Sequence, residues 1–248
     1  MIVIKSQAEI ERMRVPCRMV AEFHQIMRET VKPGVTTRKL NELAEQYCND
    51  NKAVPAFKGY GGFPFAICSS LNEAIVHGFA SDTPLRDGDI LSIDFGVLYD
   101  GFYGDAAVTF PVGKISPQKQ HLIEVTKASL DSGLDQIRPG VHLSDISAAV
   151  QQIAERAGFS VVREFVGHGI GRELHEDPQI PNYGKPGTGP ILKKGMVLAV
   201  EPMINAGTRH VKILEDGWTA VTKDGKPSAH FEHTVAVTQD GYEILTRV

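Results

Sequence analysis

Four acids sit inside apolar, strand-like runs: Asp94 in I-L-S-I-D-F-G, Asp105 in Y-G-D-A-A-V, Glu201 in M-V-L-A-V-E-P and Glu232 in H-F-E-H-T-V. Acidic residues are disfavoured within strands, so their presence there asks for a reason. Two like charges about 4 Å apart repel by up to about 4 kcal/mol at an effective dielectric of about 20. Converging carboxylates without cations would therefore take up protons. Two divalent cations would cancel the four charges, which makes a binuclear metal site the economical use of such residues. Taken alone, the same acids fit ordinary surface or turn positions equally well.

The elements that must position them are partly readable. Asp100-Gly101 is a two-residue hairpin signal between β-rich runs. With that turn, Asp94 pairs with Ala107, and Asp105 lies two residues before Ala107. Both carboxylates then share a face as diagonal neighbours, with backbones roughly 7–8 Å apart. A one-residue slip would send them to opposite faces.

The chain also repeats itself. V-K-P-G-V-T-T-R-K-L from Val31 matches I-R-P-G-V-H-L-S-D-I from Ile137, an offset of 106 at the prolines. L-R-D-G-D-I-L-S-I-D from Leu85 matches L-K-K-G-M-V-L-A-V-E from Leu192 at an offset of 107, setting Asp94 against Glu201. A looser match sets D-A-A-V-T-F from Asp105 against E-H-T-V-A-V from Glu232. Helix-like segments flank each Pro-Gly-Val (Leu40–Tyr47 and Ile146–Ala154 follow it), and strands come later in each half. That order favours an α+β sandwich with pseudo-twofold symmetry over an alternating parallel fold. Near the N-terminus S-Q-A-E at Ser6–Glu9 reads as a capping box opening a helix, which Pro16 is expected to kink or split.

A fifth ligand candidate is His168 in F-V-G-H-G-I-G-R-E-L-H-E-D-P, where glycines let the backbone bend closely. Taken singly, a histidine among glycines is more often a structural hydrogen-bonder than a ligand. Oxygen ligands with one imidazole suit Mn, Fe(II), Co or Zn.

Composition narrows the class. The 248 residues are 42% hydrophobic and 23% charged with net charge −4, ordinary for a globular domain without a nucleic-acid footprint. Cys17, Cys48 and Cys68 form no CxxC pair, which points to a reducing compartment. Neither a signal-peptide core nor an apolar run of membrane-spanning length is visible, so a cytoplasmic protein without membrane or nucleic-acid partners is expected.

Several motifs in order, S-L-N-E-A-I-V-H-G, the Asp94/Asp105 hairpin, G-H-G-I-G-R-E-L-H-E, M-V-L-A-V-E-P and F-E-H-T, resemble the type I methionine aminopeptidases over nearly the whole chain. The resemblance implies a pita-bread (creatinase/aminopeptidase) fold, an antiparallel sheet covered by helices. It implies one catalytic domain over 1–248, internally duplicated at roughly 1–113 and 114–248. It assigns two divalent ions (Co, Mn, Fe(II) or Zn) to Asp94, Asp105, His168, Glu201 and Glu232. Asp105 and Glu232 would bridge, Asp94 would chelate one ion, and His168 and Glu201 would hold the other. A hydroxide on the two metals would attack the first peptide bond with Glu201 as base, while His77 and His175 contact substrate and steady the intermediate.

The methionine pocket would draw on Phe57, Tyr60, Phe63, Cys68 and Trp218, residues that individually also read as core packing. Phe57 stands where a cysteine is frequent in bacterial members, and Leu174 where an aromatic is common. His77 alone would read as a turn histidine. His24, His121, His142 and His210 carry that ordinary reading, and His230 and His233 lie near a ligand but match no functional position. Implied substrates are nascent polypeptides with N-terminal methionine and a small second residue, met near the ribosome by a monomer. The rivals are a proline-specific peptidase of the same fold, which usually carries a large extra N-terminal domain, and a non-catalytic binding member, which should lack ligands.

Overall fold

The computed structural model describes residues 1–247. Among them are four α-helices: α1 (Gln7–Thr30), α2 (Thr37–Asp50), α3 (Pro117–Leu134) and α4 (Leu143–Arg156). The expected capping box opens α1, with Ser6 Oγ accepting from the Glu9 N–H and the Glu9 carboxylate accepting from the Ser6 N–H. Ile10, Met13, Cys17, Val20 and Met27 form its buried face. Pro16 does not split it; α1 is one helix of 24 residues. The backbone of Gly104 packs directly on Pro16 and Cys17, where an added Cβ would sit 2.6 Å from the Cys17 nitrogen. Tertiary packing on this face offsets the hydrogen bond that proline cannot make.

The first-half strands are β1 (Val54–Pro55), β2 (Cys68–Leu71), β3 (Ala74–Val76), β4 (Ile90–Tyr99) and β5 (Phe102–Pro111). Next come β6 (Ser160–Val161), β7 (Gly167–Gly169), β8 (Glu176–Ile180), β9 (Val197–Val200) and β10 (Met203–Asn205). The last are β11 (Val211–Ile213), β12 (Ala220–Thr222), β13 (Ser228–His230), β14 (His233–Val237) and β15 (Tyr242–Ile244). Every strand pairing is antiparallel, in groups β1-β4-β2 with β5 on β4, β13-β10-β6, β11-β12-β3 and β15-β14-β9-β7-β8. No helix among the described residues is long and apolar enough to cross a membrane.

The two Pro-Gly-Val turns make matching contacts. Gly34 and Gly140 both have φ +91. The Gly34 N–H donates to the Leu85 carbonyl (2.8 Å) and the Gly140 N–H to the Leu192 carbonyl (3.0 Å). In return, the N–H groups of Leu85 and Leu192 donate to Val35 and Val141, each at 2.8 Å. One apolar cluster gathers Val20, Phe23, Leu40, Ile93 and Phe95, and another gathers Leu122, Ile146, Val150, Leu198 and Val235.

Candidate active site

The β4–β5 hairpin has the register read from its turn: Asp94 pairs with Ala107 and Gly96 with Asp105. Asp100 (φ 49) and Gly101 (φ 75) supply the two positive φ angles of such a turn. On the other side of β4, Cys68 pairs with Asp94, setting a pocket thiol beside a ligand candidate.

Segments from the second half clasp this hairpin. The Thr234 hydroxyl donates to the Asp105 carbonyl (2.7 Å) and accepts from the Asp105 N–H (3.2 Å). The Glu232 N–H donates to the Ala107 carbonyl at 2.9 Å. Thr109 does the reverse, accepting from the His230 N–H (2.9 Å) and donating to its carbonyl (2.8 Å). Both halves thus fix each other's acids.

His168 sits on β7, opposite Ala199 of β9, and Glu201 follows the end of β9. An added Cβ on Gly169 would clash with the backbone of Asp177, so the strand can turn here only without a side chain. His168 Nδ1–H donates to the Gly169 carbonyl (2.9 Å), leaving the Nε2 lone pair facing the cavity, 3.6 Å from Glu201 Oε1. Asp105, His168 and Glu232 place ligating atoms all within 4.8 Å of one another. Asp94 lies within hydrogen-bonding reach of Asp105, and Glu201 joins through His168.

Burial dominates the electrostatics. It pushes the Asp94 carboxyl up to about 7, helped by nearby Glu201 and opposed by His230, and pushes Glu201 up to about 8. Asp105 and Glu232 rise well above the usual carboxylate range through burial and then the neighbouring acids. Burial lowers His168 and His77 to about 4, so both imidazoles are neutral near pH 7. Asp94 Oδ1, Asp105 Oδ1 and Glu232 Oε1 are buried and have no hydrogen-bond partner among the described residues. These three acids with orphaned oxygens, together with Glu201 and a neutral imidazole, form a donor set for divalent cations, which would replace the missing partners.

These five residues line one cavity of about 220 Å³. The same cavity is lined by His77, His175, Phe57, Tyr60, Phe63, Cys68 and Trp218, so every residue singled out from the sequence converges there. Phe57, Phe63, Cys68, Leu174 and Trp218 belong to one apolar cluster. Phe63 and Trp218 meet edge-on at 5.2 Å between ring centroids. His77 holds a positive φ of 59, a conformation that costs energy for a residue with a Cβ, and packs against Phe165 and Trp218. His175 Nδ1 hydrogen-bonds the Tyr60 hydroxyl at 2.8 Å.

The structure adds Val76, Phe165 and Val166 to the wall. Their adjacency to His77 and His168 was the available signal. It also brings the His230 imidazole Nε2 to 3.5 Å from Glu201 Oε2.

The metallopeptidase family M24 pattern matches residues 11–239. The chain is 53% identical over 248 residues to methionine aminopeptidase 1 of Bacillus subtilis (strain 168), covering 100% of both. It is 45% identical over 247 residues to the methionine aminopeptidase of Escherichia coli (strain K12), covering 99% of this chain and 94% of that protein. A crystal structure of methionine aminopeptidase from Thermotoga maritima matches with TM-score 0.98 and 48% identity, covering 100% of both chains. The prolidase from Pyrococcus horikoshii OT3 matches with TM-score 0.79 at 22% identity, over 99% of this chain and 64% of that one, a likeness of fold alone.

Proposed function

Since the chain belongs to metallopeptidase family M24, we propose that Asp94, Asp105, His168, Glu201 and Glu232 hold two divalent ions in a metal-dependent aminopeptidase acting on N-terminal methionine. The chain is a hydrolase of the pita-bread fold that removes methionine from the N-termini of polypeptides. The observation that carries the metal reading is the set of buried carboxylate oxygens without partners around His168.

Bound there, the ions would supply a hydroxide nucleophile near neutral pH and polarise the first peptide carbonyl. The protein's own groups supply the rest. Asp105 and Glu232, fixed by the Thr234 and Ala107 contacts, would be shared by both ions, while Asp94 would serve one and His168 with Glu201 the other. Glu201, deprotonated once the ions are bound, would take the proton of the attacking water and pass it to the leaving amine. His77 and His175 contact the peptide and stabilise charge developing on its oxygen, with Tyr60 holding His175 Nδ1. The methionine thioether lies among Phe57, Tyr60, Phe63, Cys68 and Trp218, where sulfur–aromatic contacts contribute about 0.3–1.5 kcal/mol each.

Residues 1–248 act as one catalytic unit, with roughly 1–113 and 114–248 as duplicated halves; the paired contacts of Leu85 and Leu192 support this. The physiological metal is Co, Mn, Fe(II) or Zn. The enzyme works as a cytoplasmic monomer near the ribosome, on nascent chains with a small second residue, and its three free, buried cysteines suit a reducing compartment.

The test is hydrolysis of Met-Ala-Ser and Gly-Pro by protein stripped of metal and reconstituted with Mn, Fe(II), Co or Zn separately. Met-Ala-Ser should be cleaved only after reconstitution. Preference for Gly-Pro would reverse the substrate assignment.

A further inference from the structure

We propose that His230 is a positioning residue for Glu201: its Nε2–H donates to one carboxylate oxygen, so that the other stays turned toward His168 and the ligand cluster. The inference rests on the reading of Glu201 as ligand and base given above.

His230 is only 1% exposed, and its Nε2 has no hydrogen-bond partner among the described residues. That nitrogen lies 3.5 Å from Glu201 Oε2, while His168 Nε2 lies 3.6 Å from Glu201 Oε1. The carboxylate therefore lies between two imidazoles, one facing each oxygen. They are not equivalent. His168 gives its Nδ1–H to Gly169, so it faces Glu201 with a lone pair. A carboxylate oxygen opposite an otherwise unpartnered ring nitrogen favours the tautomer that carries hydrogen on that nitrogen.

His230 reaches this place through its backbone. It pairs with Met203, two residues beyond Glu201, and Thr109 clamps its N–H and carbonyl. Ser92 Oγ in turn contacts the Thr109 hydroxyl at 2.8 Å. The clamp does not use the imidazole, so substituting the ring leaves it in place. A buried polar ring aimed at a ligating carboxylate is the arrangement by which metal sites orient their ligands.

The test compares full-length wild type with His230→Gln, which keeps an N–H donor, and His230→Leu, which fills similar space without one. Loss of a ligand's partner typically costs 10–100-fold, so His230→Leu should lower kcat on Met-Ala-Ser about 10–100-fold with KM changed less than about 3-fold. Its Co(II) affinity should fall about 10-fold or more, and His230→Gln should recover both quantities to within about 3-fold of wild type. At saturating Co(II), the visible spectrum of His230→Gln should keep the wild-type bands. If His230→Leu fails to fold, His230→Ala takes its place with the same expected loss.

Wild-type kcat and affinity in the donor-free variant overturn the proposal, as does a His230→Gln no better than it. A changed Co(II) spectrum in His230→Gln overturns positioning in favour of direct ligation. Glu201→Ala is the reference: if it loses metal and activity while the donor-free variant loses neither, this inference alone fails. If Glu201→Ala also keeps both, the reading of Glu201 itself fails.

Discussion

A carboxylate withdrawn from water keeps its proton unless positive charge replaces the lost solvation. Asp94 and Glu201, pushed up to about 7 and about 8, obey that rule in the absence of cations. Above about pH 4 the unfolded chain has released these protons while the folded protein still holds them. Buried imidazoles lowered to about 4, such as His77 and His168, pull the other way below about pH 6.5, so stability of the metal-stripped protein should fall as pH rises from about 6.5 toward 8, and urea denaturation at several pH values measures this. A flat profile would remove these two acids from the buried charge balance. Glu201→Gln should lower kcat about 10²–10⁴-fold, the size of a lost general base, with the fold retained by circular dichroism. The four acids of the cluster were legible because they stand out in apolar runs, and their proposed role as ligands, with His168, came from the resemblance. His230 was not: its spacing from Glu232 was visible, but the β10–β13 pairing that turns it toward Glu201 joins residues far apart in sequence.

At the scale of elements, the hairpin was legible because Asp100-Gly101 fixes both turn and register, and register fixes which side chains share a face. The helix at Pro16 is the opposite case. Local propensity predicts a kink or a split, and no split occurs, because the close approach of Gly104 depends on a strand some 90 residues later. Gly104→Ala should be destabilising by about 1–3 kcal/mol, because a methyl group there meets the α1 backbone, and Tm should drop by about 2–12 °C. An unchanged Tm would mean that helix and hairpin separate at little cost. Thr234→Val should act similarly, since it removes both hydrogen bonds that hold the Asp105 backbone.

Across the whole molecule, the segments matched in the sequence make corresponding contacts, as the Leu85 and Leu192 bonds display, although the sequence did not say which segments would meet. It said less about the cavity's walls. Adjacency to His168 was the one signal for Phe165 and Val166, and the placing of β7 between β8 and β9 is a topology that spacing cannot give. The site gathers Asp94 and Asp105 from one half of the chain, and His168, Glu201 and Glu232 from the other. The most direct measurement is calorimetric titration of the metal-stripped protein with Co(II) at pH 7, in two buffers of different ionisation enthalpy. The buried acids should bind two ions per chain and release protons as they do, so the heat should change with the buffer. Heat that does not depend on the buffer, or no saturable binding at all, would contradict a cluster of protonated acids waiting for cations.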